Sequence, residues 1–176
     1  MNKKSQVWSI DFIAGLLIFV SVMVISINLI SSMENPGNYE ALYRDAVHLS
    51  DALITDGSPS DWSNNINSTV IPGLMVANST NRLDLVKLAA LDKLDNNISY
   101  ARTKTLFHIT GDYMFFFKNS TSSIKILQCI HGYNLTYNPV TCVPSLDSTK
   151  YDDLIKIDRI LIYNSTLVTM EIYVWQ

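Results

Sequence analysis

The side chains best suited to chemistry in this chain are three histidines and two cysteines. Nucleophilic catalysis needs a nucleophile next to a base that a third group orients. The sequence pattern places His48 on a predicted helix, His108 at a helix end and His131 in a loop between the cysteines. We therefore interpret each histidine as an ordinary surface or packing residue and assign no catalytic residues.

Clustered carboxylates offer no better candidate. Asp152, Asp153 and Asp158, and likewise Asp92 with Asp95, are interpreted as solvated edges of strands or helices, because they lack the order of a calcium loop and the pairing of a glycosidase. The sequence contains neither a P-loop nor a GxGxxG motif. We therefore expect a protein that is not an enzyme and that uses no cofactor.

The two cysteines lie on either side of a loop rich in turn-forming residues. Cys129 and Cys142 do not form a CxxC pair and have no histidine at zinc-finger spacing, so we expect no metal site. An oxidising compartment would allow them to form a disulfide. Two buried free thiols are the alternative.

Six Asn-x-Ser/Thr sequons are the third group of chemically relevant residues. Several fall in turn-like segments, where a bulky sugar can be accommodated, and we expect at least one to carry glycan. The candidate glycosylation sites are Asn67, Asn78, Asn97, Asn119, Asn134 and Asn164.

Length and charge limit the classes of protein that fit. The 176 residues carry a net charge of -3, which provides no electropositive field, so we expect no nucleic-acid partner. Hydrophobic residues make up 48% of the chain and charged residues only 16%. Much of that imbalance lies at the N-terminus, and the remainder suffices for one domain of modest size.

The N-terminal segment is long and apolar enough to cross a membrane. Residues 7–30 include a single charge, Asp11. As a helix they would extend about 36 Å, against a hydrocarbon core of about 30 Å. Lys3 and Lys4 precede the segment and acidic residues follow it, so the positive-inside rule places the N-terminus in the cytoplasm and the following domain outside.

A cleaved secretory signal is the rival interpretation of this segment. Such signals have an apolar core of about 7–15 residues, whereas the uncharged run here covers residues 12–33 and ends without a good cleavage site. Asp11 allows two interpretations. Its carboxylate either lies in the headgroup zone at little cost, or pairs with a positive group, such as a free α-amine, on a neighbouring copy.

The residues Lys3-Lys4-Ser5-Gln6-Val7-Trp8-Ser9-Ile10-Asp11-Phe12 resemble the class III signal peptide of archaeal type IV pilin-like proteins. The resemblance implies that a prepilin peptidase cuts between Ser5 and Gln6 on the cytoplasmic side. The apolar run would then remain as the mature N-terminal helix, and Asp11 would serve assembly.

Two departures from the family pattern affect the predicted cleavage position. The family usually has glycine where this chain has Ser5, and its acidic residue is usually fifth in the mature chain, whereas Asp11 would be sixth after Gln6. Either the cut falls after Gln6, or the spacing is one residue longer here. The expected organisation is a basic leader at 1–5, a transmembrane or filament-core helix at 6–33 and an extracytoplasmic head at 34–176.

Periodic patterns predict an α+β head. Apolar residues recur at helical spacing over 39–53, with Gly57 and Pro59 expected to end that helix, and further helices are predicted over 82–94, capped by Asn81, and over 100–107. Residues 58–81 are predicted to be an irregular loop. Runs of aromatic and β-branched residues predict two hairpins, which together form an antiparallel sheet of about four strands at 113–117, 124–130, 155–163 and 167–175.

We therefore expect a structural subunit, major or minor, of a type IV pilus-like surface filament, whose head serves adhesion or surface contact. Its expected partners are the membrane, a prepilin peptidase and other pilin-like subunits. It would reside in the cytoplasmic membrane as a single-pass protein until assembled. The alternative is a non-polymerising, membrane-anchored binding or accessory protein.

Overall fold

The structure is a computed structural model of the 176-residue chain. It describes every residue except 1–2, 34–35, 80, 98–99, 134–136, 139–140 and 145–150, and the backbone alone at 3–11, 30–33, 36–38, 95–97 and 137. The chain forms two compact units, Met1–Tyr39 and Glu40–Gln176.

Helix α1, Lys3–Met33, forms the first unit. Its stretch Phe12–Leu29 has a mean hydropathy of 2.5 and the length needed to cross a membrane, a property that transmembrane spans share with signal sequences. Its large apolar side chains are exposed, from Phe12 to Leu29. The predicted apolar N-terminal helix is confirmed.

Helix α2, Pro36–Leu53, carries the first apolar stripe of the head. Leu42, Ala46, Leu49 and Leu53 lie three or four positions apart and are each at most 1% exposed. This spacing brings all four side chains to one face of the helix, where they join the main core. The helix predicted over 39–53 is therefore confirmed.

A close backbone approach follows α2. Gly57 has a φ of +80° and lies against Gly73. A Cβ atom on either glycine would collide with the backbone nitrogen of the other. The indole nitrogen of buried Trp62 donates to the Gly73 carbonyl at 3.0 Å. Gly57 therefore serves this crossing and lies too far beyond Leu53 to act as the predicted cap of α2.

Two short 3₁₀ helices, Trp62–Asn64 and Ile66–Ser68, precede α3, Leu85–Asn97, and α4, Tyr100–Leu106. The predicted N-cap of α3 is wrong by three residues. Asp84, and not Asn81, caps it, because the Asp84 carboxylate accepts from the Val86 amide at 2.8 Å. Asn81 instead uses its carbonyl to pair with a strand residue, Ile162.

Among the residues that the structure describes, seven strands follow, five of which form one antiparallel sheet. They are β1 Asp112–Lys118, β2 Ser123–Ile124, β3 His131–Gly132, β4 Tyr137–Asn138, β5 Val143–Pro144, β6 Leu154–Tyr163 and β7 Thr166–Trp175. The order is β2-β1-β7-β6, and β3 pairs with β1 on the same edge as β2. Strands β4 and β5 form a separate two-stranded sheet.

The predicted α+β class and both predicted hairpins are confirmed, with a sheet of five strands in place of about four. The long strand predicted over 124–130 is wrong. Leu127 has φ of +60°, and the Gln128 amide donates to the Ile126 carbonyl at 2.7 Å, so the chain turns back there. Two short strands, β2 and β3, replace it.

One face of the sheet forms the main core with α2, α3 and α4. On β1 and β7 alternate side chains point to this face, which sends Tyr113, Phe115 and Phe117 inward beside Ile172 and Val174. All five side chains are 0% exposed. The aromatic run on β1 is thus mainly core, as predicted.

The opposite face of the sheet is covered as well. Met114, Phe116 and Trp175 pack in a second cluster with Cys129, Ile130 and Cys142. Phe116 is 3% exposed, so this outward aromatic side chain is too buried to make a surface contact. The central strands are therefore buried on both sides at this end of the sheet.

Polar contacts connect α2 and α3 to the rest of the head. The guanidinium of Arg159 on β6 donates to Ser50 Oγ at 2.7 Å and pairs with Asp51. Lys87 on α3 is 4% exposed, and its Nζ donates to the carbonyls of Asp56 at 2.7 Å and Met75 at 2.9 Å. The two bonds of Lys87 satisfy an ammonium group that would otherwise be buried without a partner.

We predict that replacing both Cys129 and Cys142 by serine lowers the free energy of unfolding by about 2–4 kcal/mol, because the disulfide restricts the unfolded chain and completes the second cluster. Urea unfolding of the full-length chain in detergent, followed by tryptophan fluorescence, measures this. Leu127→Ser, at an exposed position in the same segment, is the control. An unchanged urea midpoint in the double serine variant would contradict the prediction.

Candidate functional site

Two polar side chains in the apolar stretch of α1 bond to the preceding turn of the same helix. Ser21 Oγ donates to the Leu17 carbonyl at 2.8 Å, and Asn28 Nδ2 donates to the Val24 carbonyl at 3.0 Å. A polar group in hydrocarbon has no water to bond, so bonding to the preceding helical turn lowers the cost of placing these side chains there. This helix is compatible with a single-pass membrane anchor.

The predicted processing and assembly residues lie at the start of α1. Ser5, Gln6 and Asp11 have helical backbone, and their side chains lie outside the described residues. Their roles in leader cleavage and assembly stay predictions.

The two cysteines are joined. Cys129 and Cys142 form a disulfide with Cα atoms 4.9 Å apart, and both are 4% exposed. The disulfide interpretation is confirmed, and the alternative of two buried free thiols is wrong. Its function here is structural, since both residues belong to the cluster on the outer face of the sheet.

Four of the six sequon asparagines are described with their side chains, and all four are exposed. Asn67 lies in the second 3₁₀ helix, Asn119 in the β1–β2 turn and Asn164 in the β6–β7 turn. Asn78 lies in a turn with φ of +59°. The side chain of Asn97 and the whole of Asn134 lie outside the described residues.

A polar cluster lies at the centre of the outer sheet face. The carboxylate of Glu171, on β7, accepts from Lys118 Nζ at 2.9 Å and lies 3.1 Å from Lys156 Nζ. Its second oxygen accepts from the Tyr173 hydroxyl at 3.2 Å. The antiparallel registers bring these residues together, because β1 and β6 flank β7 on either side.

Charge determines the protonation of this cluster. Burial alone would raise the pKa of Glu171, but hydrogen bonds from Lys118 and Lys156 outweigh it and hold that pKa below its usual value. Burial acts to lower the pKa of Lys156, yet the hydrogen bond to Glu171 raises it above its usual value. Burial, followed by the charge of Glu171, raises the pKa of Tyr173. Glu171 is thus an ionised acceptor that has no proton to donate.

An open cleft of about 460 Å³ borders this cluster. The β1–β2 turn and the strand β5 form its walls, and Glu171 with Tyr173 lies in its floor. It combines a carboxylate, an ammonium group, hydroxyls and an aromatic ring, which are the groups that hold polar ligands. The lining residues are Phe116, Lys118, Thr121, Ser122, Ser123, Val143, Pro144, Leu154, Glu171 and Tyr173.

Sequence reasoning missed a buried pair of ionisable residues. His131 is 2% exposed, with Nδ1 2.6 Å from the Asp92 carboxylate and Nε2 3.2 Å from the Ile126 carbonyl. Both nitrogens of this buried ring therefore face oxygen atoms. The interpretation of Asp92 as a solvated helix edge is therefore wrong, and the pair connects α3 to β3. Because the two residues are far apart in sequence, no local pattern indicated it.

The other two histidines are exposed, His48 on α2 and His108 just after α4. The rings of His48 and His108 are 6.3 Å apart between centroids, and His48 Nδ1 lies 3.0 Å from the Phe107 carbonyl. Asp45 nearby accepts from both the amide and the hydroxyl of Thr110, at 2.8 and 2.9 Å. These contacts connect α2 to the chain after α4, as the packing interpretation expected of His48.

Within the part of the chain that the structure describes, no three His, Cys, Asp or Glu side chains lie close enough to hold a metal ion. The described polar clusters connect side chains from different elements of the head. Glu171 is engaged by two lysines, and Asp92 contacts the ring of His131.

Comparison with known proteins yields no relative. No protein-family model matches this chain, and no curated protein or solved structure is significantly similar to it.

We predict that Glu171→Gln lowers the free energy of unfolding at neutral pH by about 1–2 kcal/mol, a value discounted because both lysine partners are partly exposed. The carboxylate contributes stability above its ordinary pKa of 4.5, and this contribution is lost as the pH falls through its lowered pKa. Wild type and variant should therefore converge under acid conditions.

Urea midpoints of the two chains between neutral and acid pH test this prediction. Glu40→Gln, at an exposed position outside the cluster, is the matched control and should differ little from wild type throughout. A difference between wild type and Glu171→Gln that stays constant with pH would contradict the prediction.

Proposed function

We propose that this chain is a structural subunit, major or minor, of a type IV pilus-like surface filament. A prepilin peptidase would remove the leader, and the apolar helix would then pack against those of other pilin-like subunits. The head would serve adhesion or surface contact. The observation that carries the proposal is a continuous helix, Lys3–Met33, that begins at the pilin-like leader motif and exposes an unbroken apolar stretch.

The exposed apolar stretch of α1 supports this proposal because its side chains must be shielded from water. Its large apolar side chains, including Phe12, Phe19 at 65% and Ile25 at 59% exposure, would be unfavourable in water. A bilayer provides that cover before assembly, and neighbouring helices provide it in a filament. The same surface therefore suits both stages of the proposed life of the subunit.

Three features of the head also support the proposal: its disulfide, its exposed sequons and its polar cleft. A disulfide closes the outer cluster, as is usual for domains outside the cytoplasm, and exposed sequons lie in its turns. The cleft beside Glu171 and Tyr173 offers a polar site for surface contact. Glycans at the exposed asparagines belong to the same proposal.

We predict that the chain recovered from native membranes begins at Gln6 or Val7. Intact-mass spectrometry with N-terminal sequencing measures this directly. The control is a strain lacking prepilin peptidase, in which the chain should retain Lys3 and Lys4.

The other possible N-termini decide between the alternatives. A chain that keeps Lys3 and Lys4 in the wild-type strain would contradict the filament proposal and indicate a membrane-anchored binding or accessory protein. A start beyond Ser32 would indicate a secreted protein and contradict both.

We predict that Asp11→Ala lowers the yield of surface filaments at least about tenfold, because an apolar assembly loses the ion pair that offsets the cost of the buried α-amine. Asp11→Glu, which keeps the charge, should retain assembly. Immunoblots of sheared surface fractions measure filaments, and membrane fractions report the amount of processed subunit. Full assembly of Asp11→Ala would remove this role from Asp11.

A further inference from the structure

Strand β6 forms one edge of the sheet, and most of that edge has no strand partner among the residues that the structure describes. It pairs with β7 residue for residue, without a bulge, from Leu154 to Tyr163. On the other side, the Ile162 amide donates to the Asn81 carbonyl at 2.7 Å, and the Ile162 carbonyl accepts from the Leu83 amide at 3.0 Å. The backbone polar groups of Ile162 therefore point away from β7.

Backbone groups alternate in direction along an antiparallel strand. Residues of the same parity as Ile162 thus direct their N–H and C=O groups outward as well: Leu154, Lys156, Asp158 and Ile160. Among the described residues, none donates to or accepts from these outward groups. Because Ile162 is already paired, the open edge covers residues 154–160, with Ile157 at its centre.

The sequence of this open edge is complementary to itself. In an antiparallel pairing with a second copy centred on Ile157, Lys156 lies opposite Asp158 of the other copy, and Leu154 lies opposite Ile160. The first pair joins opposite charges, and the second joins apolar side chains, both of which stabilise cross-strand neighbours. Lys156 and Asp158 are exposed, and Ile160 is 63% exposed, so a partner strand can reach all three side chains, although Lys156 also contacts Glu171 of its own chain at 3.1 Å.

Neighbouring registers are disfavoured by charge. A shift of two residues in one direction places Lys156 opposite Lys156 of the other copy, and the opposite shift places Asp158 opposite Asp158. Like charges directly opposite each other destabilise a strand pair. A shift of one residue would place each outward-directed residue opposite one whose N–H and C=O groups are already bonded to β7. Among these neighbouring registers, only the one centred on Ile157 avoids both.

We propose that the β6 edges of two copies of this chain pair in antiparallel fashion about Ile157. The contact is isologous, since the same residues contribute on both sides, and it closes as a twofold dimer. It would form about eight backbone hydrogen bonds, two for each of the four outward pairs. The two five-stranded sheets would become one continuous sheet. The proposal does not depend on the filament proposal.

The charges on β6 are a reason to expect a second copy of this chain at the open edge. Charged residues on an edge strand commonly prevent association. Here Lys156 Nζ already lies 3.3 Å from Asp158 Oδ1 of its own chain. Pairing would bring a second Lys156 and Asp158 beside them, which makes a cluster of alternating sign. In a shifted register these two charges would meet like charges of the second copy. In the register centred on Ile157 they meet opposite charges and favour pairing.

The test uses charge reversal in the full-length chain, solubilised in detergent micelles and studied by analytical ultracentrifugation across a range of concentrations. Wild type should form a dimer. Asp158→Lys and Lys156→Asp each place like charges opposite one another, so each alone should raise the dissociation constant at least about tenfold. An equimolar mixture of the two variants restores both opposite-charge pairs and should dimerise as wild type does.

Matched controls make the same charge changes elsewhere on the head. Asp61→Lys and Lys93→Asp are at exposed positions outside β6 and should leave the dimer unchanged. Thermal unfolding of each variant shows whether the head is folded. Restoration in the mixture cannot arise from a folding defect, because each chain in the mixture keeps its own substitution.

Cysteine cross-linking in native membranes tests the register. Lys156→Cys and Asp158→Cys chains should form an oxidised cross-link when expressed together and not when expressed singly, because only unlike positions lie opposite each other. Cross-linking of Lys156→Cys with itself would overturn the register. A wild-type chain that stays monomeric, or that forms open-ended oligomers, would overturn the twofold dimer, whatever the outcome of leader processing.

Discussion

Burial of the central strands β1 and β7 on both faces is the constraint on which the head depends. Their inward side chains meet α2, α3 and α4, and their outward side chains meet a cluster closed by the Cys129–Cys142 disulfide. A sheet covered on one face needs only alternating polar and apolar residues. This one needs a continuous apolar run, which is why Met114, Phe115 and Phe116 stand side by side in β1. The apolar cluster on the outer face ends at Glu171, whose carboxylate pairs with Lys118 and Lys156.

Local patterns predicted the elements that are stabilised by their own sequence. The apolar helix, the stripe from Leu42 to Leu53 and the long hairpin of β6 and β7 follow from periodicity alone. Patterns failed where distant contacts decide the conformation. Asp84 rather than Asn81 caps α3, because the Asn81 carbonyl is used by Ile162. The strand predicted over 124–130 breaks at Leu127, in a segment whose path the disulfide and the paired His131 hold in place.

The functional groups of the head divide in the same way, into those that the sequence indicated and those that only the tertiary fold brings together. The cysteine pair was recognised from residue type, with its bonding left open until the structure showed the disulfide. The Asp92–His131 pair and the Glu171 cluster join residues from different elements, so only the tertiary fold brings them within bonding distance. Both are polar contacts between largely buried side chains of different elements.

The order of strands along the chain has a consequence for how the head acquires its structure. Strand β1 has its longest ladder with β7, which follows every other element of the chain. At about 5–20 residues per second, a ribosome delivers β1 several seconds before its main partner exists. During that interval the aromatic side chains of β1 have no sheet to join. Folding of the head is therefore a late event that follows synthesis of β7, and a chain interrupted before β7 would be a substrate for chaperones and proteases.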